Sequence, residues 1–90
     1  MAAELERPEP PAVYDLRGLN CPLPVLRTRK RLLAMASGER LWIETTDPLA
    51  VIDLPAFCSE SGHRLIETQP FDGGHRFLIE RGGPSAPPSA

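Results

Sequence analysis

Cys21 stands in the run Asp15-Leu16-Arg17-Gly18-Leu19-Asn20-Cys21-Pro22-Leu23-Pro24, where an extended segment gives way to a helix. Gly18 allows a sharp turn there, and Pro22 has the fixed φ and missing N–H that suit a first helical position. The spacing predicts Cys21 as the N-cap, its sulfur facing backbone N–H groups that lack partners inside the helix. Those donors and the positive end of the helix dipole favour thiolate over thiol, and the thiolate is the form that attacks other sulfur atoms. A buried, inert structural cysteine is the competing role for an isolated thiol. The Gly-Leu-Asn turn before Cys21 and the basic run after it, Arg27 to Arg31, favour chemistry. Gly18, Asn20, Pro22 and Pro24 are the residues expected to shape the site.

The pattern from Cys21 to Pro24 is half of a Cys-x-x-Cys motif, and a dithiol oxidoreductase needs a resolving thiol nearby. A lone nucleophilic thiol suits persulfide or peroxide chemistry better. Cys58, the other cysteine, adjoins Phe57 and follows Leu54 by four residues, which predicts a core position. His63, after Gly62, and His75, after a turn, are expected at the surface. Neither has Cys or His at metal-ligand spacing, so no metal site and no cofactor is expected. Asp47 and Asp53 are expected to cap a helix or face solvent. No Ser-His-Asp order, phosphate loop or catalytic carboxylate pair is present.

Around the cysteine the pattern calls for six elements in the order β-α-β-α-β-β. Val13 to Arg17 reads as a short strand. Pro22 to Ser37 reads as a helix closed by Gly38, its apolar face built from Val25, Leu32 and Ala36 with Leu26 and Leu33 beside them. Arg29 falls on the flank of that face, in a packing position, while Arg27, Lys30 and Arg31 point away. Leu41 to Thr46 reads as a second strand. Asp47-Pro48 opens a second helix, which Pro55 should break into a turn at 48–52 and a firmer piece ending at Gly62. Leu65-Ile66 and Phe77-Leu78-Ile79 supply two strands around the hairpin signal Asp72-Gly73. The expected fold is a two-layer α/β sandwich, with two helices covering one face of a four-stranded mixed sheet.

Ninety residues make one domain at most, expected over residues 13–81. Six of the eleven prolines lie in residues 1–12 and 82–90, so both tails are expected to be disordered. Two cysteines do not make a disulfide framework. No apolar run approaches the ~20 residues of a membrane span, and the acidic N-terminus lacks the apolar stretch of a secretory signal. The expected location is therefore the cytoplasm, with no membrane partner. A net charge of −2 argues against general nucleic-acid binding. Between Asp15 and Glu39, however, every formal charge is positive: Arg17, Arg27, Arg29, Lys30 and Arg31. Arg27, Lys30 and Arg31 begin about 9 Å of helix rise from Cys21 and are the expected docking face for an acidic partner.

The motif Gly-x-x-Cys-Pro-x-Pro, followed in order by Arg29-Lys30, Ser37-Gly38-Glu39, Thr46-Asp47-Pro48, Asp53 to Cys58 and Gly62-His63, resembles the TusA/SirA family of small sulfur carriers. The resemblance covers about Tyr14 to Arg81. It implies a βαβαββ fold and transfer of sulfane sulfur as a persulfide on Cys21. It also implies a cysteine desulfurase or rhodanese-like sulfur donor and a downstream acceptor protein, in tRNA thiolation, molybdenum-cofactor or other sulfur metabolism. Two other functions use the same residues. A one-cysteine redox sensor would form a sulfenic acid on Cys21. A regulatory or RNA-contacting module would use the basic helix and bind in a salt-sensitive way.

Overall fold

The computed structural model describes residues 10–83. Six elements follow in the expected order: β1 (Ala12–Asp15), α1 (Leu23–Leu33), β2 (Arg40–Thr45), α2 (Ala50–Ser61), β3 (Arg64–Phe71) and β4 (Gly74–Glu80). They form one four-stranded mixed sheet of order β1-β2-β4-β3. β1 and β2 are parallel, which requires the α1 crossover between them, and the β2–β4 and β3–β4 pairs are antiparallel. The expected two-layer α/β architecture is present. The expected disordered tails fall mostly outside the described residues.

Strand alternation builds the core. Leu41 pairs with Ile79 and Ile43 with Phe77 across β2 and β4. All four are fully buried and meet Leu32 of α1 and Leu54 and Cys58 of α2. The intervening residues Trp42 and Leu78 pair on the opposite face, where the Arg76 guanidinium lies 4.2 Å from the centre of the Trp42 ring. The β3–β4 hairpin turns at Asp72 and Gly73, both at positive φ, the backbone of a two-residue type I′ turn. At Gly74 the Thr45 carbonyl passes so close that a Cβ would sit 2.0 Å from its oxygen. That close approach sets the end of β2 against the hairpin.

Both helices differ from their expected form. α1 stops at Leu33, four residues before Ser37. The Ala34 and Met35 N–H groups close tight bonds to the Arg31 and Leu32 carbonyls, and the Arg81 guanidinium takes the Leu32 carbonyl from outside the helix at 2.8 Å. Gly38 does adopt a left-handed φ, but at the end of a separate turn. The buried face of α1 is Pro24, Thr28 and Leu32, spaced by four. Leu26 and Leu33, expected in the core, are exposed.

α2 runs unbroken through Pro55 to the left-handed Gly62. Pro55 removes one N–H, and the carbonyl left without it belongs to Val51, an exposed residue at the start of the helix. Its N-cap is Leu49; Asp47 and Pro48 form the turn before it. His63 and His75 are half-buried, not surface residues. His63 accepts the Gly82 N–H at Nδ1 and packs on Phe57, and burial together with the Arg81 charge lowers its pKa.

Candidate functional site around Cys21

β1 delivers the chain to the site by extending its register one residue: the Leu16 N–H donates to the Glu44 carbonyl, and the Leu16 side chain is buried. The turn that follows places Gly18 at φ +89, a left-handed conformation that side chains resist, and its N–H donates to Thr46 Oγ1. The neighbouring Arg17 is bound back to Asp15 through three hydrogen bonds. Asn20 contributes through its backbone, its carbonyl accepting the Leu23 N–H at 2.8 Å. Pro24 is fully buried and anchors the first turn of α1 in the core. Cys21 and Pro22 are left outside, and Cys21 is an exposed free thiol.

The thiol is not the N-cap. Pro22 occupies that position, and no side chain caps the helix. The Cys21 Sγ donates instead to Asp53 Oδ2 of α2, 3.2 Å away. Its pKa is raised by that hydrogen bond first, then by desolvation and by the charges of Asp53 and Asp47. The expected thiolate stabilisation by the helix end is overturned, and the sequence contains the reason. Pro22 and Pro24 have no N–H to offer, and the Leu23 N–H is already bonded to Asn20. The start of α1 is thus poor in the donors that favour an anion, while two carboxylates lie near the sulfur.

Asp47 and Asp53 are the neighbours of the thiol that sequence reasoning undervalued. Asp47 does cap locally, Oδ1 accepting the Leu49 N–H at 3.2 Å, but it is 7 % exposed and part of this corner. One donor atom from each of Cys21, Asp47 and Asp53 lies within 4.8 Å of the others. Asp47 and Asp53 belong to the segment that opens α2 and Cys21 to the one that opens α1, so no local spacing announces the three together.

A groove of about 510 Å³ opens beside the thiol, walled by Cys21, Val25, Arg29, Asp53, Phe57 and Glu60. Arg29, expected on the flank of the apolar face, is exposed and walls this groove. Of the expected docking residues, Arg27 and Lys30 are exposed on α1. Arg31 is half-buried, its guanidinium 4.8 Å from the centre of the Tyr14 ring, so it does not point away. Exposed apolar side chains flank the site: Leu23 and Leu26 at the start of α1, Leu49 and Ile52 at the start of α2. Cys58 is buried in the core, its thiol pushed up to about 11 by burial, and takes no part. Among the described residues no helix is long and apolar enough to cross a membrane.

The sequence and the fold have known counterparts. Residues 12–81 match the family described as sulfurtransferase TusA. The chain is 46 % identical over 67 residues to the sulfur carrier protein TusA of Allochromatium vinosum, covering 74 % of this chain and 88 % of that one. The crystal structure of a SirA-like protein from Desulfitobacterium hafniense superposes with a TM-score of 0.66 at 22 % identity, over 80 % of this chain and 97 % of that one. With a family match that spans every element of the sheet and both helices, the chain belongs to the TusA/SirA family.

Proposed function

We propose that the protein is a sulfur carrier that takes up sulfane sulfur as a persulfide on Cys21 and passes it to an acceptor protein. The observation that carries this reading is an exposed free thiol at the projecting start of α1, the point a partner's active site can reach. The A. vinosum relative, named a sulfur carrier, supports it. In the loading step Cys21 gives up its proton, for which Asp53 is the nearest acceptor, and the thiolate attacks the outer sulfur of a donor persulfide. One S–S bond forms on Cys21, one breaks on the donor, and the donor leaves as a thiolate. Delivery repeats the exchange on an acceptor thiol. The donor is a cysteine desulfurase or a rhodanese-like protein, the compartment is the reducing cytoplasm, and the destination is a sulfur pathway such as tRNA thiolation or molybdenum-cofactor maturation.

In the free protein the hydrogen bond and charge of Asp53 disfavour the Cys21 thiolate. A one-cysteine peroxide sensor needs the opposite, a low-pKa thiol. Incubation with a cysteine desulfurase and labelled cysteine tests the reading. Wild type and Cys58→Ala become one sulfur atom heavier, and Cys21→Ser stays unlabelled. Label retained on Cys21→Ser overturns the assignment.

A further inference from the structure

The corner that holds the thiol also holds an unbalanced carboxylate. Asp47 is 7 % exposed, and its Oδ2 is shut off from solvent without a hydrogen-bond partner. Buried carboxylate oxygens are normally paired or bound to a metal, because desolvation without a partner is costly. The Cys21 Sγ and Asp53 Oδ2 stand 3.2 Å apart in the same corner, and one carboxylate oxygen each of Asp47 and Asp53 lies with the Sγ in a set within 4.8 Å of one another. Once the thiol ionises, three anionic ligands converge on one point. Arg29, the cation in the adjoining groove, forms no ion pair among the described residues.

We propose that Cys21, Asp47 and Asp53 form a binding site for a divalent cation of the zinc class. A thiolate among the ligands selects zinc-like ions over magnesium or calcium. Metal–ligand bonds of about 2.0–2.3 Å in a tetrahedron set ligand atoms roughly 3.3–3.8 Å apart, a contraction that rotation of the exposed Cys21 and half-exposed Asp53 side chains supplies. Water completes the fourth position. Binding forms a metal–sulfur bond and breaks the S–H bond, its proton passing to solvent. Coordination draws electron density from the sulfur and occupies the corner, so the cation competes with sulfur loading. The site does not depend on the carrier reading.

Cobalt(II) titration of the reduced, sulfur-free, untagged protein under anaerobic conditions tests it, because no sulfur donor is involved and failure leaves the carrier reading intact. Wild type and Cys58→Ala bind one equivalent with a thiolate-to-cobalt charge-transfer band that zinc abolishes by displacement. Cys21→Ser lacks the band. Asp53→Asn, at a half-exposed position the fold tolerates, binds cobalt at least about tenfold more weakly. Asp47→Asn, which keeps the oxygen that accepts the Leu49 N–H, does the same where thermal unfolding shows it folded. No stoichiometric charge-transfer band in wild type, or a smaller loss in Asp53→Asn, overturns the site.

Discussion

The contact between Cys21 and Asp53 fixes what kind of thiol this protein carries. The carboxylate accepts the S–H at 3.2 Å and opposes ionisation by hydrogen bond and by charge, with Asp47 adding a smaller effect of the same sign. The thiolate fraction at neutral pH is therefore below that of an ordinary cysteine. Asp53→Asn removes the charge, so the Cys21 pKa moves down and more thiolate is present at neutral pH. Alkylation by a small neutral reagent reads this directly, since its rate follows the thiolate fraction. The midpoint of the pH–rate profile shifts to lower pH in Asp53→Asn, and the rate near pH 7 rises above wild type. Asp47→Asn shifts the midpoint the same way by less. A profile unchanged in Asp53→Asn would show that the carboxylate does not govern the thiol.

At the scale of elements, two adjacent leucines separate what the sequence makes legible from what it does not. Leu32 is 0 % exposed and Leu33 is 66 % exposed, although helical periodicity placed both on the apolar side. Leu32→Ala leaves a cavity against Leu41, Ile43 and Leu54 and costs about 2–5 kcal/mol; Leu33→Ala costs less than about 0.5 kcal/mol. Urea unfolding of the two variants checks the face of α1, and equal losses would refute it. The order of elements, the Asp72-Gly73 turn, the buried Cys58 and the reach of Cys21 were legible because each rests on local chemistry: turn backbone, hydrophobic alternation, a proline beside a cysteine. The end of α1 was not, because the group that takes the Leu32 carbonyl is Arg81, 49 positions away. Nor was the environment of the sulfur. Asp53 lies 32 positions from Cys21, and only the packing of α2 on α1 brings them together. The one local clue was there to be read: prolines at 22 and 24 leave the helix start poor in N–H donors.

Across the whole molecule the charges divide into unlike regions. The acidic corner of Asp47 and Asp53 surrounds the thiol, while the positive charges of α1 extend away from it. Arg17 is spent on Asp15, and Arg31 covers Tyr14, which leaves Arg27 and Lys30 as the exposed cations of α1 outside the groove. They begin about 9 Å of helix rise from Cys21, beyond the ~8 Å Debye length at physiological salt, so their pull on the sulfur is weak. A protein partner, in contrast, meets the patch as a whole during encounter, and rim charges act chiefly through association rate. The double variant Arg27→Glu/Lys30→Glu therefore loads sulfur from a donor enzyme more slowly, on the order of tenfold at low ionic strength, while its alkylation rate stays at the wild-type value. Raising the salt brings the two proteins' loading rates together. If loading and alkylation fall together, the patch tunes the thiol and does not dock a partner; if neither falls, α1 presents an ordinary solvated face there and docking rests on the apolar side chains Leu23, Leu26, Leu49 and Ile52 that flank the sulfur.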